Sequence, residues 1–129
     1  MKKQAVYNTT DLCRGKILGI KSAMEILSGK WKLHILGTLL LNDKMRFMDL
    51  MREIDGIAAK ILSKELQDME MNQLVRRTVV ETKPVTVEYE LTSQGRSLEA
   101  IIHEVANWGT TYRSAVYHAD TNNSGSSAQ

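Results

Sequence analysis

Four side chains able to bond to nucleic acid recur within one short segment: Lys60, Ser63, Lys64 and Gln67, between Gly56 and Glu70. At about 100° per residue they fall on one side of a helix, while Leu62, Leu66 and Met69 form the stripe expected to enter a core. Lysine suits phosphates and guanine edges, serine and glutamine can pair with bases or phosphates, and Ala59 offers apolar contact to a thymine methyl. The charge is also graded along the axis, with Lys60 and Lys64 early and Asp68 and Glu70 late. A helix meant only for solvent usually carries acids in its first turn and bases in its last, to suit the macrodipole. The reverse order suits a helix that points its N-terminal end at DNA. Taken alone, the same residues also fit an ordinary solvated face, so the neighbouring elements must decide.

Other residues with chemical potential lie outside this segment. Arg76 and Arg77 are consecutive in a run with strand character and therefore point to opposite faces, so at most one of them faces the same ligand directly. Lys83 stands between the two runs of that pattern, and Arg46 opens a helix, where backbone N–H groups add to its attraction for phosphate. The single cysteine, Cys13, excludes an intrachain disulfide and a cysteine-cluster metal site. No flanking pattern marks it as activated, and it stands as the one possible redox residue beside the reading as an ordinary thiol. His34, His103 and His118 show no metal-ligand spacing. No nucleophile–base pair, phosphate-cradling glycine loop or catalytic carboxylate dyad is legible, so no catalytic residue, metal ligand or cofactor is expected.

These residues must be placed by a framework of modest size. A chain of 129 residues, 43% hydrophobic and 25% charged, suits one domain with a real core. Its net charge of +2 says little about nucleic acid, because only local concentration of charge matters. No apolar run approaches the roughly 18 residues that span a membrane, and no apolar segment follows the basic start, so a cytoplasmic location is expected.

Periodicity divides the chain further. Residues 1–16 lack a period and read as a flexible arm, residues 17–118 as one domain, and the Asn/Ser/Gly-rich residues 119–129 as a disordered tail. Ala23, Met24, Ile26 and Leu27 give a helix that stops at Ser28-Gly29. A second runs from about Lys30 through Trp31, Ile35, Leu36, Leu39 and Leu40 to Asn42-Asp43. Phe47, Leu50, Met51 and Ile54 mark a third, and Asp55-Gly56 a tight turn before the two-faced helix, about residues 58–71. Val75, Arg77 and Val79, then Val85, Val87, Tyr89 and Leu91, alternate on either side of Thr82-Lys83-Pro84 and predict a hairpin over about residues 75–91. Thr92 or Ser93 then caps a helix striped by Leu98, Ile101, Ile102, Val105, Trp108, Tyr112 and Val116. Helices joined by a glycine turn and followed by a hairpin are a winged helix-turn-helix: mostly α with a β-hairpin wing, an α+β class, with N- and C-terminal helical extensions.

Ser28-Gly29-Lys30-Trp31, Arg46-Phe47, Gly56-Ile57 with Lys60, Leu62 and Leu66, then Leu74-Val75-Arg76-Arg77, Val87-Glu88-Tyr89-Glu90-Leu91-Thr92 and Gly95 follow in order. This series resembles the HxlR-type winged helix-turn-helix regulators, small bacterial proteins related to the MarR group, in register from about Leu18 to Gly109. The resemblance implies a homodimer on a palindromic operator of double-stranded DNA, with the helix from Ala58 in the major groove and the hairpin beside the backbone. Three positions depart from the family pattern. Ala58 stands where Ser or Thr usually caps the helix, a loss of about 1 kcal/mol. Thr86 replaces the usual wing arginine, leaving wing contact to Lys83, Arg76 or Arg77. Leu18 occupies the place of the frequent N-terminal cysteine.

The expected function is thus that of a dimeric, sequence-specific DNA-binding transcriptional regulator. Arg46, Ala59, Lys60, Ser63, Lys64, Gln67, Arg76, Arg77 and Lys83 are its candidate DNA contacts. Trp31 and Phe47 are expected in the core. Ile17, Ile20, Ile101, Ile102, Val105, Trp108, Tyr112 and Val116 are expected at the dimer interface, since the last helix exceeds what a small domain needs for its own packing. Two competing classes are an interaction module without DNA binding and a regulator answering an oxidant or small molecule, the oxidant through Cys13.

Overall fold

The computed structural model describes the backbone of residues 9–127 and the side chains of residues 13–118. Its elements are α1 (Thr9–Leu27), α2 (Lys32–Asn42), β1 (Lys44–Arg46), α3 (Phe47–Glu53), α4 (Ala59–Met71), β2 (Val75–Val80), β3 (Thr86–Leu91), α5 (Ser93–Arg96) and α6 (Glu99–Ser127). The three strands form one antiparallel sheet in the order β1-β3-β2. The mostly helical winged helix-turn-helix expected from the sequence is present, with α3 and α4 as its two helices and β2–β3 as its wing.

The core gathers where these elements meet. Ile35, Leu36 and Leu39 of α2, Leu50 and Ile54 at α3, and Leu62, Leu66 and Met69 of α4 are buried together with Val75, Tyr89 and Leu91 of the sheet. Trp31 and Phe47 pack against this cluster while remaining partly exposed. Gly56, at φ +84°, turns the chain between α3 and α4, a backbone shape that costs little only without a Cβ. Ile57 beside it is 6% exposed and pins the turn to the core.

Three local features differ from the sequence reading. The sequence analysis predicts no strand at β1, since three residues are too few to show a period of two; its pairing with β3 supplies the missing signal. Residues 9–16, expected in a flexible arm, are helical, because Cys13, Ile17, Ile20 and Met24 continue the helical spacing of α1 into it. The helix still projects: residues 13–26 are exposed, and only Leu27 at its end is buried. Residues 1–8 of that arm lie outside the described residues. At the other end, backbone helix continues through residue 127 across the expected disordered tail. Extending a formed helix adds one hydrogen bond per residue fixed, and no proline stops it.

The last helix is also divided. Thr92 caps the single turn α5, its Oγ1 accepting from Gly95 N at 3.0 Å, before the chain re-enters helix at Glu99. Gly95 lies so close to the end of the strand connection that an added Cβ would stand 2.2 Å from Leu74 O. Thr92 N donates to that same carbonyl at 3.0 Å. This contact stitches the foot of the wing to the segment leaving α4. Gly95→Ala is therefore expected to destabilise the fold by about 2 kcal/mol, as overpacking against backbone does, read as a lower urea midpoint at unchanged slope.

Candidate nucleic-acid interface

The two faces of α4 separate sharply. Leu62 and Met69 have no exposed surface and Leu66 only 1%, whereas Ala59, Lys60, Ser63, Lys64 and Gln67 are all exposed. Burying three such side chains is worth about 5–9 kcal/mol, which fixes the rotation of the helix about its axis. The helix begins without a side-chain cap: Ala58 is extended at φ −80°, ψ 147°, and contributes only its carbonyl, which accepts from Leu62 N at 2.9 Å. The absent cap is worth about 1 kcal/mol, so packing outweighs it and the helix forms.

Glu65 escaped the sequence reading. It is 9% exposed and lies on the buried face between Leu62 and Met69. Lys32 Nζ stands 2.9 Å from its Oε1 and 3.7 Å from Asp68 Oδ2. The signal was present in the sequence, since an acid three residues after Leu62 and four before Met69 falls on the apolar stripe and must find a partner there.

The wing extends this surface. The loop of residues 81–85 joins β2 to β3 and carries exposed Lys83 at its middle. Thr82 Oγ1 donates to Pro84 O at 2.8 Å and lies 3.3 Å from Thr86 Oγ1, so Thr86 supports the tip. Strand register settles the two arginines. Arg77 is paired with buried Tyr89 and projects from the core-bearing face, while Arg76 is paired with Glu90 on the outer face; both side chains are exposed. Arg46 is exposed at the start of α3, where its backbone N donates to Asp49 Oδ2 at 3.2 Å and the Asp49 carboxylate also accepts from Arg52.

Pairing sorts the cations. Lys32, Lys44, Arg52 and Arg96 are tied to carboxylates. Among the described residues, the side chains of Arg46, Lys60, Lys64, Arg76, Arg77 and Lys83 enter no ion pair, and neither do those of Arg14, Lys16, Lys21, Lys30 and Arg113. Unneutralised cations on an exposed helix face and hairpin tip are what phosphate binding requires.

The model of the HxlR-like helix-turn-helix family matches residues 26–117. The chain belongs to that family. An HxlR-like relative, the uncharacterized HTH-type transcriptional regulator YdzF of Bacillus subtilis, is 37% identical over 98 residues, 76% of this chain and 90% of the relative. The crystal structure of the HTH-type transcriptional regulator ytcD superposes with a TM-score of 0.68 at 35% identity, over 72% of this chain and 94% of that one. The reduced form of the redox regulator HypR superposes with a TM-score of 0.69 at 30% identity, over 74% and 93%. The family match runs from the end of α1 into α6 and so includes the helix-turn-helix, the wing and most of the site residues named above. No helix among the described residues is long and apolar enough to cross a membrane, and no three His, Cys, Asp or Glu side chains among them gather as a metal site.

The expected interface residues are divided by the structure. Ile17, Ile20, Ile101, Val105, Trp108, Tyr112 and Val116 are exposed. Ile102 is not on that surface. It is half-buried against the core and meets α2, where a Cβ on Gly37 would lie 3.5 Å from its Cγ2. One position along a helix turns a side chain by about 100°, which carries Ile101 outward while Ile102 packs inward.

Restoring the cap gives a direct check on α4. Ala58→Ser is expected to raise stability by about 0.5–1 kcal/mol, seen as a higher Tm with an unchanged circular dichroism spectrum.

Proposed function

We propose that this HxlR-like chain is a sequence-specific DNA-binding transcriptional regulator that acts as a homodimer on a palindromic operator. One observation carries the reading: α4 is locked by Leu62, Leu66 and Met69 so that Lys60, Ser63, Lys64 and Gln67 face outward, with unpaired Lys83 on the adjacent wing. In this reading α4 enters the major groove. Lys60 and Lys64 neutralise phosphates or meet guanine edges, Ser63 and Gln67 bond to bases or phosphates, and Ala59 faces a thymine methyl. Lys83 and Arg77 approach the backbone from the wing, and Arg46 approaches it from the start of α3. The names of the relatives, HTH-type transcriptional regulators, support the same assignment.

The outer helices support dimerisation. Ile101, Val105, Trp108 and Tyr112 recur at spacings of four, three and four along α6 and remain exposed, as do Ile17, Ile20 and Met24 along α1. Such spacing forms a continuous apolar seam, and a seam of this length left in water marks an interface. The Trp108 and Tyr112 rings stack at 4.9 Å between centroids, presenting one flat aromatic surface on it. Two-fold pairing through this seam sets two copies of α4 for half-sites about one DNA turn apart.

A second reading concerns control. Cys13 is exposed and free on the same face of α1 as Ile17, Ile20 and Met24, and the chain is similar to a redox regulator. Oxidation there would alter the interface. Equal sensitivity of DNA binding to an oxidant in wild type and Cys13→Ser would exclude this role.

Selection from random duplexes should return a two-fold symmetric site. Lys64→Glu, which exchanges attraction for repulsion at an exposed position, is expected to weaken binding to that site by at least about 100-fold in a gel shift, with Tm and dimer unchanged. Retained affinity would remove α4 from the DNA. In sedimentation, Val105→Asp with Trp108→Asp is expected to give a folded monomer; a persisting dimer would place the interface elsewhere.

A further inference from the structure

The ion pair between α2 and α4 is more than a packing contact. Glu65 is the one buried charged residue among the described residues, and it stands on the face of α4 that enters the core. Lys32 reaches it from the first turn of α2, where a cation opposes the helix dipole and therefore needs an acidic partner. The two side chains are 11% and 12% exposed, and Asp68 offers Lys32 a second carboxylate. The turn between α1 and α2 lies against the same group, since a Cβ on Gly29 would stand 3.7 Å from Glu65 Oε2. One carboxylate of α4 thus pairs with the start of α2 and lies near the junction from which α1 departs.

Apolar residues of similar volume would hold α2 to α4 as firmly, or more so, because a buried ion pair must offset its own desolvation. They would not define the same geometry. Dispersion contacts tolerate a small slide of one helix on another, whereas an ammonium paired with two carboxylates loses its charge-assisted contact once it moves beyond hydrogen-bond distance. We propose that Lys32 and Glu65 are positioning residues that fix α4 relative to the α1–α2 junction. They thereby set the separation and mutual orientation of the two copies of α4 in the dimer, and so the half-site spacing the protein accepts. The inference rests on the DNA-binding reading above and names how its site is held.

The test uses the full chain, the operator selected from random duplexes, and a series of that operator with its half-sites moved apart or together by whole base pairs. Lys32→Met with Glu65→Leu is expected to stay folded and dimeric, with a Tm at or above that of wild type and unchanged affinity for non-operator duplex. Its affinity for the selected operator should fall at least about tenfold, and its preference for the native spacing should flatten. Lys32→Gln with Glu65→Gln, which keeps shape and removes charge, should do the same, while Lys32→Arg retains the spacing preference. Wild-type affinity and an unchanged spacing profile in the double variants would overturn the proposal. Unfolding of both would overturn it as well, by making the pair a requirement of the fold. A wild-type protein that selects no site overturns the DNA-binding reading first, and is told apart because it fails before any variant is compared.

Discussion

Leu62, Leu66 and Met69 decide which way α4 faces, and the rest of the molecule depends on that orientation. Their burial, about 5–9 kcal/mol in total, exceeds by several-fold the cap that Ala58 fails to provide. The helix therefore needs no favourable start of its own. Its polar residues need not compete for the core, because the opposite face has already settled the rotation. Gly56 and buried Ile57 fix the entry, the Thr92–Leu74 and Gly95–Leu74 contacts fix the exit, and the same stitch ties the foot of the wing to the end of α4.

The surface follows a division of labour among charges. Net charge is only +2, yet the cations of α4 and of the hairpin tip have no carboxylate partners, while Lys32, Lys44, Arg52 and Arg96 are each neutralised nearby. In the proposed reading, those unpaired cations are the ones that meet phosphate. The exposed apolar residues of α1 and α6 lie on other elements than these cations, so in the proposed reading pairing with a second chain and binding DNA use different helices.

Most of this plan was legible in the sequence, because each large element has a strong period. The stripes of α2, α3 and α4, the alternation of β2 and β3 and the Asp55-Gly56 turn all appear where expected. What escaped was set by partners distant in the chain. β1 exists only through its register with β3, and the break between α5 and α6 follows from the close approach of Gly95 to Leu74. The placement of Ile102 against Gly37 needed the α2–α6 packing, although it sits beside exposed Ile101. Glu65 is different, since its position on the apolar stripe was readable and only its partner, Lys32, was not.

In the proposed function, the exposed face of α4, with the wing tip, is the surface that meets DNA. Photo-cross-linking the protein to its selected operator, with halogenated pyrimidines in the duplex, and mapping the attached peptides tests it most directly. Adducts should concentrate on residues 58–67 and on the loop of residues 81–85. Adducts confined to α1 or α6, with α4 unlabelled in a bound complex, would contradict it.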